Sequence, residues 1–464
     1  MTKTIAKNSL VFAVLFFSAS LLGAADVPTN VVATVATPPP APEILTPKPA
    51  ATPRINGPKI YGVRPGSPFY YCIPATGDHP MTFSADGLPE GLQLDPANGR
   101  IVGLLKFPGE FKVTLHAKNS LGEAEKPFRI VVGEEIQLTP AMGWNSYNCF
   151  GERVTQDLAL RAARQMVKLG LDQHGWTYIN MDDGWQGERS GAFTALQADT
   201  RRFTDIKAMV DEIHGMGLKA GLYSSPWVVT YGGKLGGSAE NPEGTSQRWS
   251  GNAPKNKKVL PFAIGKYRFT YQDAQQFADW GFDYLKLDWG PVEAPETKEM
   301  HQASRLTRRD IVLSLSNNHV KNLFRGIGDV SPWAQSWRTI TDIRDVWSRV
   351  ALEKMDDFTL SLLTNDEVLE VNQDTLGKQA VQVGGAGDLK VYAKPLDDGS
   401  LAVGLFNTGK ETTTVRANWS DLKLKGSQRV RDLWRQKDLG RFTDKFEAPV
   451  APHGVVLVRI FPNP

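Results

Sequence analysis

The sequence predicts a multidomain protein with three folded parts: a small N-terminal β-sandwich, a central (β/α)8-type barrel and a C-terminal antiparallel β-domain. Three observations predict it. Short alternating segments punctuated by turns fill residues 54–135; from Leu138 the texture becomes strand, loop, helix, repeated; beyond Gln379 period-two alternation returns. A length of 464 residues accommodates about three domains. The formal net charge of +3, with no basic run or aromatic-interleaved basic stripe, argues against a nucleic-acid partner. Two cysteines, Cys72 and Cys149, give no disulfide framework, and seven scattered histidines without HxH or HExxH spacing argue against a metal site. No cofactor is expected.

Residues 1–25 read as a signal peptide. Lys3 and Lys7 precede an apolar run from Leu10 to Leu22, and Gly23-Ala24-Ala25 offers small residues for cleavage. The run is too short to be a membrane span, so a secreted or periplasmic protein is expected, with no membrane partner in the mature form. Residues 26–53, with Pro38-Pro39-Pro40 and Pro42, cannot bury a core and read as an extended linker. In 54–135, Phe111-Lys112-Val113-Thr114-Leu115-His116 and Phe128-Arg129-Ile130-Val131-Val132 alternate, with turns at Asn98-Gly99 and Pro108-Gly109. That is the pattern of an immunoglobulin-type sandwich, expected to act as a spacer.

The barrel is expected over 136–378. Its strands read as Ala141-Met142-Gly143-Trp144-Asn145, Tyr178-Ile179-Asn180-Met181-Asp182, Lys219-Ala220-Gly221-Leu222-Tyr223-Ser224, Tyr284-Leu285-Lys286-Leu287-Asp288, Ile311-Val312-Leu313-Ser314-Leu315-Ser316, and Ser336-Trp337-Arg338-Thr339-Ile340-Thr341-Asp342. Helical stripes follow the first two at 157–169 and 206–215, and another at 274–280 precedes the fourth. Polar or charged residues gather where each strand ends, which is where a (β/α)8 barrel builds its active site. Residues 379–464 form the last domain, with alternation in Leu401-Ala402-Val403-Gly404-Leu405-Phe406 and no catalytic constellation.

The strand ends carry Asp182, Asp183, Tyr223, Lys286, Asp288, Arg338 and Asp342. Alternation along a strand points Lys286 and Asp288 the same way. Such a pair is either a structural ion pair or an ionised nucleophile beside its cation, and Asp182-Asp183 is either a cap or a ligand pair. Their gathering at one rim favours the functional reading. Two carboxylates from different strands suit glycoside hydrolysis, one attacking the anomeric carbon and one protonating the leaving oxygen. Trp144, Tyr147 and Trp185 are candidates to stack on a sugar face.

Five motifs occur in order: Gly143-Trp144-Asn145-Ser146-Tyr147, Asp182-Asp183-Gly184-Trp185, Gly221-Leu222-Tyr223, Tyr284-Leu285-Lys286-Leu287-Asp288 and Trp337-Arg338-Thr339-Ile340-Thr341-Asp342-Ile343. With them the chain, from about Leu138 to its end, resembles the α-galactosidases of glycoside hydrolase family 27. Gly87-Leu88-Pro89-Glu90-Gly91-Leu92 before them resembles the Ig modules of bacterial surface proteins and glycosidases. The resemblance implies an α-galactoside oligosaccharide or polysaccharide as substrate and a retaining mechanism. It implies Asp288 as nucleophile and Asp342 as acid/base, with Tyr147, Asp182, Asp183, Tyr223, Lys286 and Arg338 contacting the sugar. α-N-Acetylgalactosaminidases are relatives of the same family.

Three departures from the family pattern stand out. Gly184 and Gly290 occupy positions where many relatives have cysteines. Ser314-Leu315-Ser316-Asn317-Asn318 replaces the segment that separates galactose from N-acetylgalactosamine specificity. Only 30 residues (372 − 342) separate Asp342 from Asn372 in the barrel-closing segment, whereas two βα units take about 60. A barrel lacking about two βα units, truncated after residue 347, is therefore expected, as is a non-catalytic galactoside-binding or defective relative as the alternative to an enzyme.

Overall fold

The computed structural model describes residues 43–191, 193–245, 263–290, 292–316, 330–338 and 352–462. The expected signal peptide, most of the proline-rich stretch, Asp342 and the first part of the junction after residue 347 lie outside the described residues.

Alternation builds the N-terminal sandwich. One sheet orders Ile60–Val63, Gly122–Val132, Gly109–Asn119 and Thr82–Asp86; the other orders Pro68–Cys72, Arg100–Leu104 and Leu92–Leu94. Every second residue of the long hairpin points inward, so Val113, Leu115, Phe128 and Ile130 meet Phe69 and Ile101 in a closed core. Each such side chain contributes about 1.5–3 kcal/mol through burial.

The Ig-like domain is packed onto the central domain. The Arg64 guanidinium donates to Asp310 Oδ1 at 2.5 Å and to the carbonyls of Arg305 (2.9 Å) and Arg309 (2.7 Å). Ser67 donates to the same carboxylate at 2.9 Å, and Lys219 Nζ donates to Tyr61 Oη at 2.8 Å. Residues 43–53, read as linker, are also held: the Ala51 carbonyl accepts from Asn119, and Thr46 Oγ1 accepts from Asn365. Burial alone would raise the Asp283 carboxyl, but Arg309 and His214 beside it hold it down to about 2. Lys219, Asp283 and Asp310 stand at or just before the starts of barrel strands. The Ig-like domain therefore covers the floor of the barrel, opposite the rim where the strands end.

In the barrel, β1 (Gly143–Asn145), β2 (Tyr178–Met181), β3 (Lys219–Ser224), β4 (Tyr284–Asp288), β5 (Val312–Ser316) and β6 (Ser336–Trp337) lie side by side in chain order, each parallel to the next. Among the described residues the parallel sheet has these six strands. One set of alternate residues (Ile179, Met181, Ala220, Leu222, Leu285, Leu287, Leu313, Leu315) is buried against the helices α1 (Gln156–Lys168), α2 (Ile206–Gly215), α3 (Thr270–Trp280) and α4 (Ala294–Leu306). The first two helices start on side-chain caps, Thr155 accepting from the Leu158 N–H and Asp205 from the Ala208 N–H. The other set of alternate residues, largely polar toward the strand ends, faces away from these helices. Register levels it: Asn180 with Gly221, Tyr223 with Lys286 and Ser314, and Asp288 with Ser316.

The C-terminal domain has a six-stranded antiparallel sheet ordered Val381–Gly384, Leu389–Pro395, Leu401–Asn407, Gly454–Phe461, Ser427–Asp432 and Lys437–Thr443. The pair Thr413–Asn418 and Lys445–Val450 contributes Val415, Ala417, Phe446 and Val450 to the same core as Val403, Leu405 and Val458. Arg431 ties the domain to the barrel through Glu367, at 2.6 and 2.8 Å.

Candidate active site

The site lies where the polar residues facing away from the helices run out at the C-terminal rim. Lys286, two residues before the end of β4, is its hub. Its Nζ donates to Asp182 Oδ2 at 2.8 Å and lies 3.2 Å from Asp288 Oδ2. Burial would lower the lysine, but the Asp182 and Asp288 carboxylates hold it above its ordinary range. Asp182 is fixed from three sides. Asn145 Nδ2 donates to its Oδ2 at 2.8 Å, its Oδ1 accepts the Asp183 N–H at 2.9 Å, and its own N–H donates to Ser146 Oγ at 2.9 Å. Asp288 is 9% exposed, and its Oδ1 makes no hydrogen bond among the described residues. A buried oxygen without a donor is poised to bond something that enters the pocket.

Asp183 is fully buried beside this group, and its Oδ2 accepts the Gly232 N–H at 2.6 Å. Burial pushes its carboxyl up to about 6. The native state thus holds this proton more tightly than the unfolded chain, so stability falls as pH rises from about 4 through about 6 and stays lower above that. Asp183→Asn removes the buried charge and keeps an acceptor for Gly232. We expect it to gain about 2 kcal/mol in urea denaturation at pH 8, and little at pH 4, while losing about 100-fold in kcat/KM. Equal stability of the two forms at pH 8 would refute this account.

Tyr223, at the end of β3, is 1% exposed; burial, then Asp183, Asp288 and Asp182 nearby, raise its phenol well above the usual range. Lys286 Nζ stands 5.4 Å from the centre of its ring. Gly221 two residues earlier is required: a Cβ there would lie 1.8 Å from Asn180 Oδ1, which crosses the strand at that level. Tyr147 sits at the rim after β1, donating to Glu152 Oε1 at 3.1 Å. Arg338, after β6, donates to Ser316 Oγ. The structure thus joins Asp182, Lys286 and Asp288 directly, sets Asp183 and Tyr223 beside them, and puts Tyr147 and Arg338 on the rim. Asp342 lies outside the described residues.

Two of the three candidate stacking rings are elsewhere. Trp185 is fully buried, donates to the Tyr223 carbonyl at 2.9 Å and packs edge-on against Phe277 and Trp280 of α3. Trp144 precedes Asn145, which faces away from the helices, so alternation turns it to the helix side, where it packs on the core and meets Phe150. Sequence reasoning missed Asn145 as a partner of Asp182, although it lies within a quoted motif and shares Asp182's strand-end position. It also missed Trp227, Tyr231, Gly232 and Trp289, which come from a loop and a turn without a periodic signal.

Comparison with known proteins places the chain in a family. A family model described as α-galactosidase A matches residues 139–249 and 256–374, and one for the α-galactosidase C-terminal β-sandwich domain matches 386–460. The α-galactosidase of Coffea arabica is 30% identical over 400 residues, covering 72% of this chain and 97% of the coffee protein. The chain belongs to glycoside hydrolase family 27, the α-galactosidase family. An Ig-domain model matches 52–133. A candidate α-galactosidase of Bacteroides fragilis, solved by crystallography, superposes with a TM-score of 0.78 at 28% identity, covering 89% of this chain and 99% of its own. The family 27 β-L-arabinopyranosidase of Geobacillus stearothermophilus shares the fold, with a TM-score of 0.57 at 22% identity over 71% of this chain and 98% of its own. The polar group on Lys286 lies at the strand ends, the part of a barrel where enzymes of this architecture carry out their chemistry.

Proposed function

We propose that the chain is a retaining glycoside hydrolase that releases terminal α-linked galactose, with Asp288 as nucleophile and Asp342 as acid and then base. The observation that carries this reading is the Asp288 carboxylate: buried at the end of β4, charge-compensated by Lys286, with one oxygen unengaged among the described residues. Such an oxygen can bond the anomeric carbon as the bond to the leaving oxygen breaks, that oxygen taking the Asp342 proton. Water, deprotonated by Asp342, then displaces Asp288 and restores the starting configuration. Asp182 and Asp183 supply acceptors for sugar hydroxyls, and Tyr147, Tyr223, Lys286 and Arg338 the remaining contacts. The choice of galactose rests on the relatives, of which the coffee and Bacteroides proteins carry that activity in their names. An aryl α-galactoside should be hydrolysed with α-galactose as the first product seen by NMR. β-Galactose appearing first would sink the retaining mechanism. Parallel assays with an aryl N-acetyl-α-galactosaminide test the family's other specificity.

A second reading is galactoside binding without turnover, favoured by the length of the barrel. Thirty residues (372 − 342) lie where about 60 are usual. The coffee alignment points the same way. It runs over 400 positions, yet 72% of 464 is about 334 residues, leaving roughly 66 positions of that protein without a counterpart here, in keeping with the size of two βα units. Calorimetric galactose binding by a folded protein that hydrolyses no aryl galactoside over a wide pH range would favour this reading. We also place the protein in the periplasm or outside the cell, on the strength of Lys3, Lys7 and the apolar run 10–22. N-terminal sequencing of the mature protein should then begin near Asp26.

A further inference from the structure

The loop that follows β3, residues 225–235, touches the candidate site at two separate points. At the first, the Gly232 N–H donates to Asp183 Oδ2 at 2.6 Å. A larger residue there would be crowded, since a Cβ would lie 2.6 Å from Glu152 Cγ and 3.1 Å from Asp183 Oδ2. At the second, the buried Trp227 donates its indole N–H to the Trp289 carbonyl at 2.6 Å. Tyr231 sets its ring edge-on to Trp289, with centroids 6.2 Å apart, and to Tyr147, 6.0 Å away.

Trp289 immediately follows Asp288 and has φ of 73°, in the left-handed region that a tryptophan enters only at a cost. Backbone in that region persists when its surroundings over-determine it. Among the described residues the loop contributes a short hydrogen bond to the carbonyl and an aromatic contact to the side chain, which also packs on the core. The loop is internally hydrogen-bonded. Thr230 and Lys234 exchange hydrogen bonds across its tip, the Gly233 N–H donates to the Thr230 carbonyl, and the Gly237 N–H closes its base on the Ser225 carbonyl.

We propose that this loop is a single positioning element for both carboxylates, and that Trp227 is the positioning residue that sets Asp288 by clasping the strained residue after it. The inference rests on Asp288 being the nucleophile. The turn at 289 decides how the end of β4 leaves the sheet, and so where the Asp288 carboxylate points. Trp227 acts through Trp289. Because one loop also holds Asp183, the sugar-binding acid and the nucleophile keep a fixed relation although they come from different strands.

The test compares Trp227→Phe in the native sequence and in a Trp289→Gly background, where the left-handed turn costs nothing. The readouts are kcat, KM and the rate of covalent labelling by a fluorinated galactosyl inactivator. We expect Trp227→Phe alone to lower kcat and the labelling rate about 10- to 100-fold while KM changes less than about threefold. In the Trp289→Gly background the same substitution should cost less than about fivefold. Equal losses in both backgrounds, or a loss confined to KM, would overturn the clasp. If Trp227→Phe does not fold, Tyr231→Ala takes its place in both backgrounds with the same expectations. Failure of the unsubstituted protein to label would instead count against Asp288 as nucleophile, so the two ideas fail in different ways.

Discussion

Asp288→Ala should lower the turnover of an aryl α-galactoside about 10⁴-fold and abolish labelling by a mechanism-based inactivator, while the protein stays folded. The fold should survive because Lys286 keeps its 2.8 Å bond to Asp182, and Asp182 keeps those to Asn145 and the Asp183 N–H. The substitution therefore leaves a compensated cation above a small gap, and galactose should still bind within about tenfold of its native affinity. Azide separates the roles of the two acids. An anion small enough to enter the gap can attack the anomeric carbon from the side Asp288 occupied, with the aryl leaving group departing as before. The product is then β-galactosyl azide, the inverted configuration. Restored turnover with that product identifies Asp288 as the nucleophile. Restored turnover with an α-azide would assign it the acid/base role, and full activity without azide would remove it from catalysis altogether.

Much of this site is legible in the sequence because a parallel strand obeys a simple rule. Alternate residues share a face, and strand ends collect at one rim. Lys286 and Asp288 in β4, Tyr223 in β3 and Asp182 after β2 can be placed together on that rule alone, and the contacts among Asp182, Lys286 and Asp288 follow it. Trp185 shows where it stops. It lies just beyond a strand end, and only tertiary contact with Phe277 and Trp280 decides that it faces the helices. Docking of the Ig-like domain was illegible for a related reason: Arg64 and Asp310 are 246 residues apart, and neither carries a local pattern that announces the other. The composition of 26–53 suggests a loose linker, yet Ala51 and Thr46 are held by groups far along the chain. Trp289 belongs to the same class, since no sequence period marks a left-handed residue that a loop 60 residues earlier keeps in place.

The largest expected loss of stability is at Arg189, which is fully buried with Asp273 of α3. The guanidinium grips that carboxylate with both ends, at 2.6 and 2.7 Å, and also donates to the carbonyls of Thr194 (3.2 Å) and Gly236 (2.6 Å). Its carbon centre lies 4.1 Å from the middle of the Phe269 ring. Arg189 thus joins the hairpin Gln186–Ser190 and Ala195–Ala198, the segment after the 225–235 loop, and the helix leading into β4. Arg189→Met keeps the apolar stem and leaves the Asp273 carboxylate buried with only the Leu196 N–H, at 2.9 Å, among these donors. Removing one partner of a buried pair costs about 3–5 kcal/mol, far more than the pair gains over an apolar replacement. The urea midpoint should therefore fall steeply for Arg189→Met, and Arg189→Met/Asp273→Leu should recover at least half of the loss. Activity should respond too, because Gly236 loses the anchor that holds the base of the positioning loop. A kcat that declines at temperatures below the unfolding transition would mark that loosening. Stability unchanged within about 1 kcal/mol in Arg189→Met would mean that water or a shifted side chain reaches Asp273, and that the fork holds nothing together.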